Sequence, residues 1–386
     1  MSARDAIVLA GIGETRVGKL PGRSSVELQA EAVIRAVKDA GLALRDVDGL
    51  LNLGPYVQPS SMFATTLAEY LGVKPTFSAT IDVGGTVTGM TMIQNAIWAI
   101  ESGQCEVAVC TFGENALTGR ASGVQGLKMD NLLGGEEWEE PFGVQGMVIP
   151  YALLAQAYRD DYGAGDADFG AVATVTRAHA LLNNNAQMTK PMALEGYLAS
   201  RMIATPLRLF DCSLVSDGAG AVVLMRADRA QRLGARRVAV RAVAQKTTHN
   251  SAAALPDIDD LGMADAGARA FEAAGMGAED MDMLALHDAF TISVLITLEA
   301  LGFARSGEAG ALARSGDLSL GGRWPLNTHG GLLSQAHIGG MLHIVEAVRQ
   351  LSGDAGKRQI EGARRALVSG NGGVFSVCGA MILEAA

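Results

Sequence analysis

The chain has 386 residues, 49% of them hydrophobic and 19% charged, and a formal net charge of −10. That length exceeds what a single hydrophobic core usually organises, so two halves are expected. The negative charge, the lack of any basic cluster and an aromatic content of 5% exclude nucleic acid and anionic membrane as main partners, because both are held by Lys/Arg clusters and single strands also by stacking rings.

Cys105, Cys110, Cys212 and Cys378 form no CxxC pair, so neither a disulfide framework nor a cysteine-rich metal site is expected. No apolar run reaches the ~18 residues a membrane span needs, and the first residues lack a signal-peptide pattern. The expectation is a soluble, cytoplasmic protein without a membrane partner.

In chain order, residues 6–10 (AIVLA) read as a buried strand. Residues 24–40 read as a helix capped by Ser24 or Ser25, with Glu27 placed for a capping box and Gly41 as its stop. A second strand is expected at 47–53. This unit recurs: residues 31–50 align without a gap to 265–284, an offset of 234, with identities that include Arg35/Arg269, Gly41/Gly275, Asp48/Asp282 and Leu50/Leu284. Residues 238–244 (VAVRAVA) stand where 6–10 stand in the first half.

A second correspondence follows. DVGGTVTGM (82–90) opens a helix ending at Gly103 and followed by the strand EVAVC. THGGLLSQA (328–336) opens a helix ending at Gly353, about one turn longer, followed by RALVS and the turn GNGG (370–373). The organisation is therefore two α/β halves, 1–235 and 236–386, with a site where they meet. Residues 114–204, including the acidic loop GGEEWEEPFG, belong to neither repeat; they are expected to shape a substrate pocket or to supply dimer contacts. Residues 207–225 return the chain to the core as a Gly turn and an apolar strand.

Residues 327–343 hold three of the six histidines and four glycines. A histidine in a Gly-rich turn that leads into a helix suits proton transfer beside an anion or thioester; packing or capping is the alternative.

Duplicated α/β halves, a Gly-Gly-led helix in each, HDAF at 287–290, a His in the second Gly-Gly segment and a Gly-rich turn before the last strand together resemble the thiolase superfamily. RMIATPLRLFDCSLVSDGAGAVVL (201–224) and NTHGG are similar to the branch of sterol-carrier-type thiolases and lipid-transfer aldolases. The resemblance covers nearly the whole chain. It implies a five-layered α-β-α-β-α fold, a homodimer, and acyl-CoA thioesters as substrates, with coenzyme A part of the substrate and no covalently bound cofactor or metal. It also implies a small zinc-ribbon/OB-fold partner protein.

Residue by residue, the family's nucleophilic Cys falls on Thr86 of Thr86-Val87-Thr88-Gly89, and its acid/base Cys on Gly370 or Ala289; both thiols are missing. Cys110, Cys212 and Cys378 match no catalytic position. His337 matches the catalytic His, although Ala336 and Ile338 replace the usual Gly and Pro, and His287 matches the first residue of the HDCF motif. In the family these two groups hold the thioester oxygen, and two donors aimed at one carbonyl stabilise enolate-like charge. Gly85, Gly331, Gly372 and Gly373 occupy the family's oxyanion and substrate-binding turns. Asp288 is expected to be structural, capping the helix that follows HDAF, and His343 to serve packing or solvent contact.

Claisen chemistry and thiolysis require an acyl-enzyme, and a Thr hydroxyl lacks the ionisation that makes a thiolate nucleophilic. A retro-aldol cleavage of a β-hydroxyacyl-CoA needs no such intermediate, so it is the leading expectation, ahead of a thiolase-type acyltransferase and a non-catalytic acyl-CoA-binding subunit. The branch's aldolases tend to carry Tyr where this chain has His287 and His337.

Overall fold

A computed structural model describes residues 7–57, 59–119, 138–144, 146–258 and 261–386. The first four residues of the acidic loop GGEEWEEPFG lie outside them. The strands are β1 Ile7–Glu14, β2 Gly49–Asn52, β3 Phe77–Thr80, β4 Val107–Asn115, β5 Met202–Ala204, β6 Leu207–Arg208, β7 Asp217–Arg226, β8 Val238–Thr247, β9 Met283–Ala285, β10 Arg365–Gly372 and β11 Val377–Ala385. The helices are α1 Ser25–Asp39, α2 Phe63–Leu71, α3 Val87–Glu101, α4 Val148–Tyr162, α5 Asp166–Ala180, α6 Leu194–Leu198, α7 Ala227–Leu233, α8 Met263–Ala274, α9 Thr291–Ala300, α10 Ala309–Ser315 and α11 Met341–Leu351.

Local signals set several ends. At the start of α1 the Glu27 N–H donates to Ser24 Oγ at 3.3 Å and the Ser24 N–H to Glu27 Oε2 at 2.8 Å, the reciprocal capping box expected from the sequence.

Strand order runs β3-β2-β4-β7-β1-β8-β11-β10-β9. β2 pairs parallel with β3 and β4, while β7 pairs antiparallel with β4 and β1. The later strands repeat this: β9 is parallel to β10, and β11 is antiparallel to β10 and β8. An isolated parallel bridge from Leu284 to Leu326 stands where β3 pairs with β2. Among the described residues, the two sets of strands pair through Val8↔Ala239 and Leu9↔Val238. The repeat seen in the sequence is thus a repeat of strand order and direction.

Alternating side chains assign the layers. On β7, Ala219, Ala221, Val223 and Met225 join an outer core with α1, whereas Val222 and Leu224 face a central core. On β11, Cys378, Ala380 and Ile382 face the opposite outer core, and Met381 and Leu383 the central one. α3 and α11 fill that centre, which accounts for their nearly all-round burial. The architecture is α/β with duplicated helix–strand layers, α-β-α-β-α in sequence.

One expectation is corrected. The second Gly-Gly segment does not open a single helix longer than its counterpart. Gly331–Gln335 form one π-helical turn, and α11 starts only at Met341, after Gly339 (φ +47°) and Gly340 (φ +74°); it has 11 residues against 15 in α3. Left-handed backbone at two successive glycines ends one turn and starts another axis. His337 therefore sits on the connection, not on a helix.

The segment between β4 and β7 crosses to the later half. Tyr151, Leu154, Tyr158, Phe169 and Val172 of α4 and α5 pack into the same core as Ile292, Leu295 and Leu298 of α9.

Candidate active site

The site forms where the two central helices begin. Thr86 is the N-cap of α3 and Gly340 the N-cap of α11. They touch: a Cβ on Gly340 would lie 2.5 Å from Thr86 Cβ and Cγ2. Two helix N-termini, each carrying a partial positive charge of roughly half a unit, converge on one point and favour negative charge there.

Gly-rich backbone closes the point from the other side. The Thr86 N–H donates to Asn371 O at 3.2 Å. Gly372 lies so close to Gly84 that a Cβ would be 2.5 Å from its carbonyl carbon, and Gly85 (φ +50°) is pressed equally against Asn371. Gly370 faces Thr86: a Cβ there would meet Thr86 Oγ1 at 2.5 Å and the Val87 nitrogen at 2.9 Å. At Gly370, one of the two positions where the family's second thiol falls, the space is thus filled by Thr86 itself. Gly373 accepts the Tyr151 hydroxyl at 3.0 Å on its carbonyl. Gly331 contacts the Asp288 carboxylate and is not among the atoms around Thr86.

His287 is brought to Thr86, its Nδ1 3.0 Å from Thr86 Oγ1, and its own N–H donates to Ser369 Oγ at 3.2 Å. Burial pushes its basicity well below the usual value, and the neighbouring charges of His337 and His343 push the same way. His337 is half-buried, with Nδ1 3.0 Å from Ser213 Oγ and its N–H donating to Ser216 Oγ at 3.1 Å. Burial lowers its pKa to about 4; the Asp288 charge opposes that shift and His343 adds to it. Both imidazoles are neutral at pH 7, so each offers one donor and one acceptor.

Burial holds all four thiols protonated: Cys105 and Cys212 are pushed up to about 12, and Cys110 and Cys378 are raised further. Cys378 faces the outer core, away from Thr86.

Asp288 is structural, but it does not cap α9, whose N-cap is Phe290. Its carboxylate accepts the Leu332 N–H at 2.8 Å and the Leu333 N–H at 3.3 Å, so it caps the π-helical turn before His337. Helix α9 is tied instead by Thr291 Oγ1, which donates to Asp211 at 2.6 Å. His343 is buried, not solvent-facing, and its Nε2 lies 3.0 Å from Leu286 O. Ser213, Asn371 and Tyr151 were not singled out from the sequence. Ser213 was visible only as part of the FDCS pattern; the contacts of the other two, Asn371 with Thr86 and Tyr151 with Gly373, span 285 and 222 residues.

Residues 244–385 match the family described as thiolase C-terminal domain-like. A protein from Mycobacterium tuberculosis H37Rv named 17-hydroxy-3-oxo-4-pregnene-20-carboxyl-CoA lyase is 36% identical, over 97% of this chain and 98% of its own. The chain belongs to the thiolase superfamily. Within it, the chain is similar to a solved Ltp2-ChsH2(DUF35) aldolase, with a TM-score of 0.88 and 34% identity over 99% of this chain and 98% of that one. It also shares its fold with a protein from Mycobacterium smegmatis described as a monomeric SCP2-thiolase-like protein type 1, at TM-score 0.73 and 22% identity over 100% of this chain and 78% of that one. That monomer corrects the expected homodimer: the fold closes without a second copy, and Thr86, His287 and His337 all come from one chain. No helix among the described residues is long and apolar enough to cross a membrane.

Proposed function

We propose that the protein cleaves β-hydroxyacyl-CoA thioesters by a retro-aldol reaction, with His287 and His337 as the acid–base and oxyanion-binding pair. At the broader level it is a thiolase-superfamily enzyme that acts on the C–C bond chemistry of acyl-CoA thioesters, of the lyase or acyltransferase type. The observation that carries the finer reading is the pairing of Thr86 with His287 in a site where Thr86, Ala289 and Gly370 stand at the thiol positions.

With the Thr86 hydroxyl donating to Nδ1, His287 keeps its proton on Nε2 and can donate to the thioester oxygen. With Nδ1–H directed at Ser213, His337 keeps Nε2 free as an acceptor. His337 takes the proton of the β-hydroxyl, the Cα–Cβ bond breaks, and its electron pair becomes the thioester enolate. The enolate is held by His287 and the two helix N-termini. His337 then returns its proton to Cα, giving an acyl-CoA and a ketone or aldehyde. A group with pKa about 4 is a weak base for the first transfer but a strong acid for the second.

The compound in the M. tuberculosis relative's name, whose 17-hydroxyl is β to the thioester, is the first substrate to try. A small DUF35-type partner, by analogy with the solved aldolase, would supply further acyl-CoA contacts, and a cytoplasmic location belongs to the same proposal. Equimolar carbonyl product and acyl-CoA, with no change in protein mass, support the reading. The second reading is acyl transfer through Thr86 with His287 as its base, favoured by the same 3.0 Å contact; an acyl adduct on Thr86 in intact-mass spectra establishes it and refutes the first.

A further inference from the structure

His343, a residue that no part of the proposed chemistry uses, occupies a singular place. It lies on the first turn of α11, is 1% exposed, and its Nε2 lies 3.0 Å from Leu286 O and 3.2 Å from Asp288 Oδ1. These are the two residues flanking His287. A single ring nitrogen within reach of a carbonyl and a carboxylate must carry the proton, so His343 donates to both sides of His287.

The second end of the connection leads to His337. Asp288 passes the restraint on through the N–H groups of Leu332 and Leu333, the start of the turn whose last residue, Gln335, is two positions before His337. Asn327 reinforces the first end: its side chain accepts the Leu286 N–H and donates to Leu286 O, both at 2.9 Å. Gly331 completes the fit, because the carboxylate leaves no space for a Cβ. Both catalytic candidates thus hang from one buried donor–carboxylate pair, although His287 and His337 come from segments 50 positions apart.

We propose that His343 is a positioning residue: through Leu286 O and Asp288 it sets the distance between His287 and His337 that the reaction needs. This rests on the proposed roles of those two histidines. Loss of the donor frees Asp288 and the turn behind it, and a displacement of about 1 Å at a reacting group costs up to about a hundredfold in rate.

Two variants of the full chain test this. His343→Leu removes the donor, whereas His343→Gln places a side-chain N–H near the position of Nε2. Cleavage of a β-hydroxyacyl-CoA is followed by steady-state kinetics, and deuterium exchange is followed at the amides of Leu332 and Leu333. For His343→Leu, kcat should fall about 10- to 100-fold with KM within about twofold, and the two amides should exchange faster. His343→Gln should recover most of kcat and the slow exchange, even if both variants melt earlier than the parent. Equal impairment of the two variants, in proportion to lost thermal stability, makes His343 a packing residue and overturns the proposal; so does parental kcat with unchanged exchange in His343→Leu. His337→Ala is run alongside. Parental turnover in that variant overturns the assigned chemistry, while the exchange data, which need no turnover, still decide the brace.

Discussion

Replacing Thr86 by Val separates the two chemistries most sharply. Val keeps the β-branched shape that packs against Gly340 and removes only the hydroxyl. No helix cap is lost, because the Thr86 side chain makes no capping bond to α3. What disappears is the 3.0 Å contact to His287 Nδ1, with a longer one of 3.4 Å to Asn371 O, inside a site where His287 is 4% exposed. A buried acceptor left without its partner costs about 1–3 kcal/mol. If Thr86 serves only to keep the His287 proton on Nε2, that cost appears in the barrier as a roughly 5- to 150-fold drop in kcat. KM should change little, because the tautomer matters most when charge develops on the thioester oxygen. Thr86→Ser restores the hydroxyl and should stay near the parent. The assay is the initial rate of carbonyl and acyl-CoA release, with intact protein mass recorded during turnover. Abolition of activity in Thr86→Val, together with a transient acyl mass on the parent protein that is absent from the variant, refutes the reasoning and makes Thr86 a nucleophile.

Reinstating the family's second thiol should fail: Gly370→Cys forces a Cβ to within 2.5 Å of Thr86 Oγ1 and 2.9 Å of backbone atoms, so a loss of about 1–3 kcal/mol is expected by overpacking, read from the denaturant midpoint, with no gain of thiolysis. Buried His329 is 1% exposed, neither ring nitrogen has a partner among the described residues, and burial holds its pKa well below 6.5. The unfolded chain therefore binds its proton first, so stability is complete above about pH 6.5 and falls as pH drops below it; His329→Phe should flatten that fall in melting curves, and an unchanged slope would contradict the assignment. Glu346 is fully buried, and Arg358 reaches its two oxygens at 2.7 and 2.9 Å. Arg358→Met should cost about 1.5–3 kcal/mol, the worth of hydrogen bonds to a charged group, because Arg349 stays 3.0 Å from Glu346 Oε2 and keeps the buried carboxylate paired; the check is chemical denaturation of the variant.

The sequence made the layer order legible because the repeat is written in residues that fix local geometry. Asp48 and Asp282 each cap the start of the neighbouring strand: Asp48 accepts the Val107 N–H at 2.8 Å and Asp282 the Arg365 N–H at 2.9 Å. Their identity at an offset of 234 is therefore a statement about backbone, and it carried over to strand order. The helix behind the second Gly-Gly segment was misread for the opposite reason. LLSQA has helix-forming residues, but Ala336 is extended and Gly339 and Gly340 are left-handed, while Asp288, 44 positions before Leu332, takes the Leu332 N–H and caps the separate π-helical turn. Tertiary contact overrode local preference. His343, expected to pack or to face solvent, is buried, although no continuous helix joins it to His337.

The missing thiols and the retained histidines are one structural fact. A second cysteine at Gly370 would need room opposite residue 86, and here the Thr86 hydroxyl and the backbone behind it occupy that space; the alternative position carries Ala289. The same closure turns Thr86 towards His287 Nδ1, and in the proposed reaction that contact leaves the His287 proton on Nε2, for the enolate oxygen. Two helix N-termini remain aimed at that face, and their charge stabilises an oxyanion whether or not an acyl-enzyme forms. Removal of the nucleophile thus leaves the enolate-binding part of the site complete. In the proposed reaction a base and acid for the β-hydroxyl and Cα is then the one further requirement, and the role proposed for His337, half-buried and neutral with Ser213 at its Nδ1, supplies it without any residue that the fold lacks.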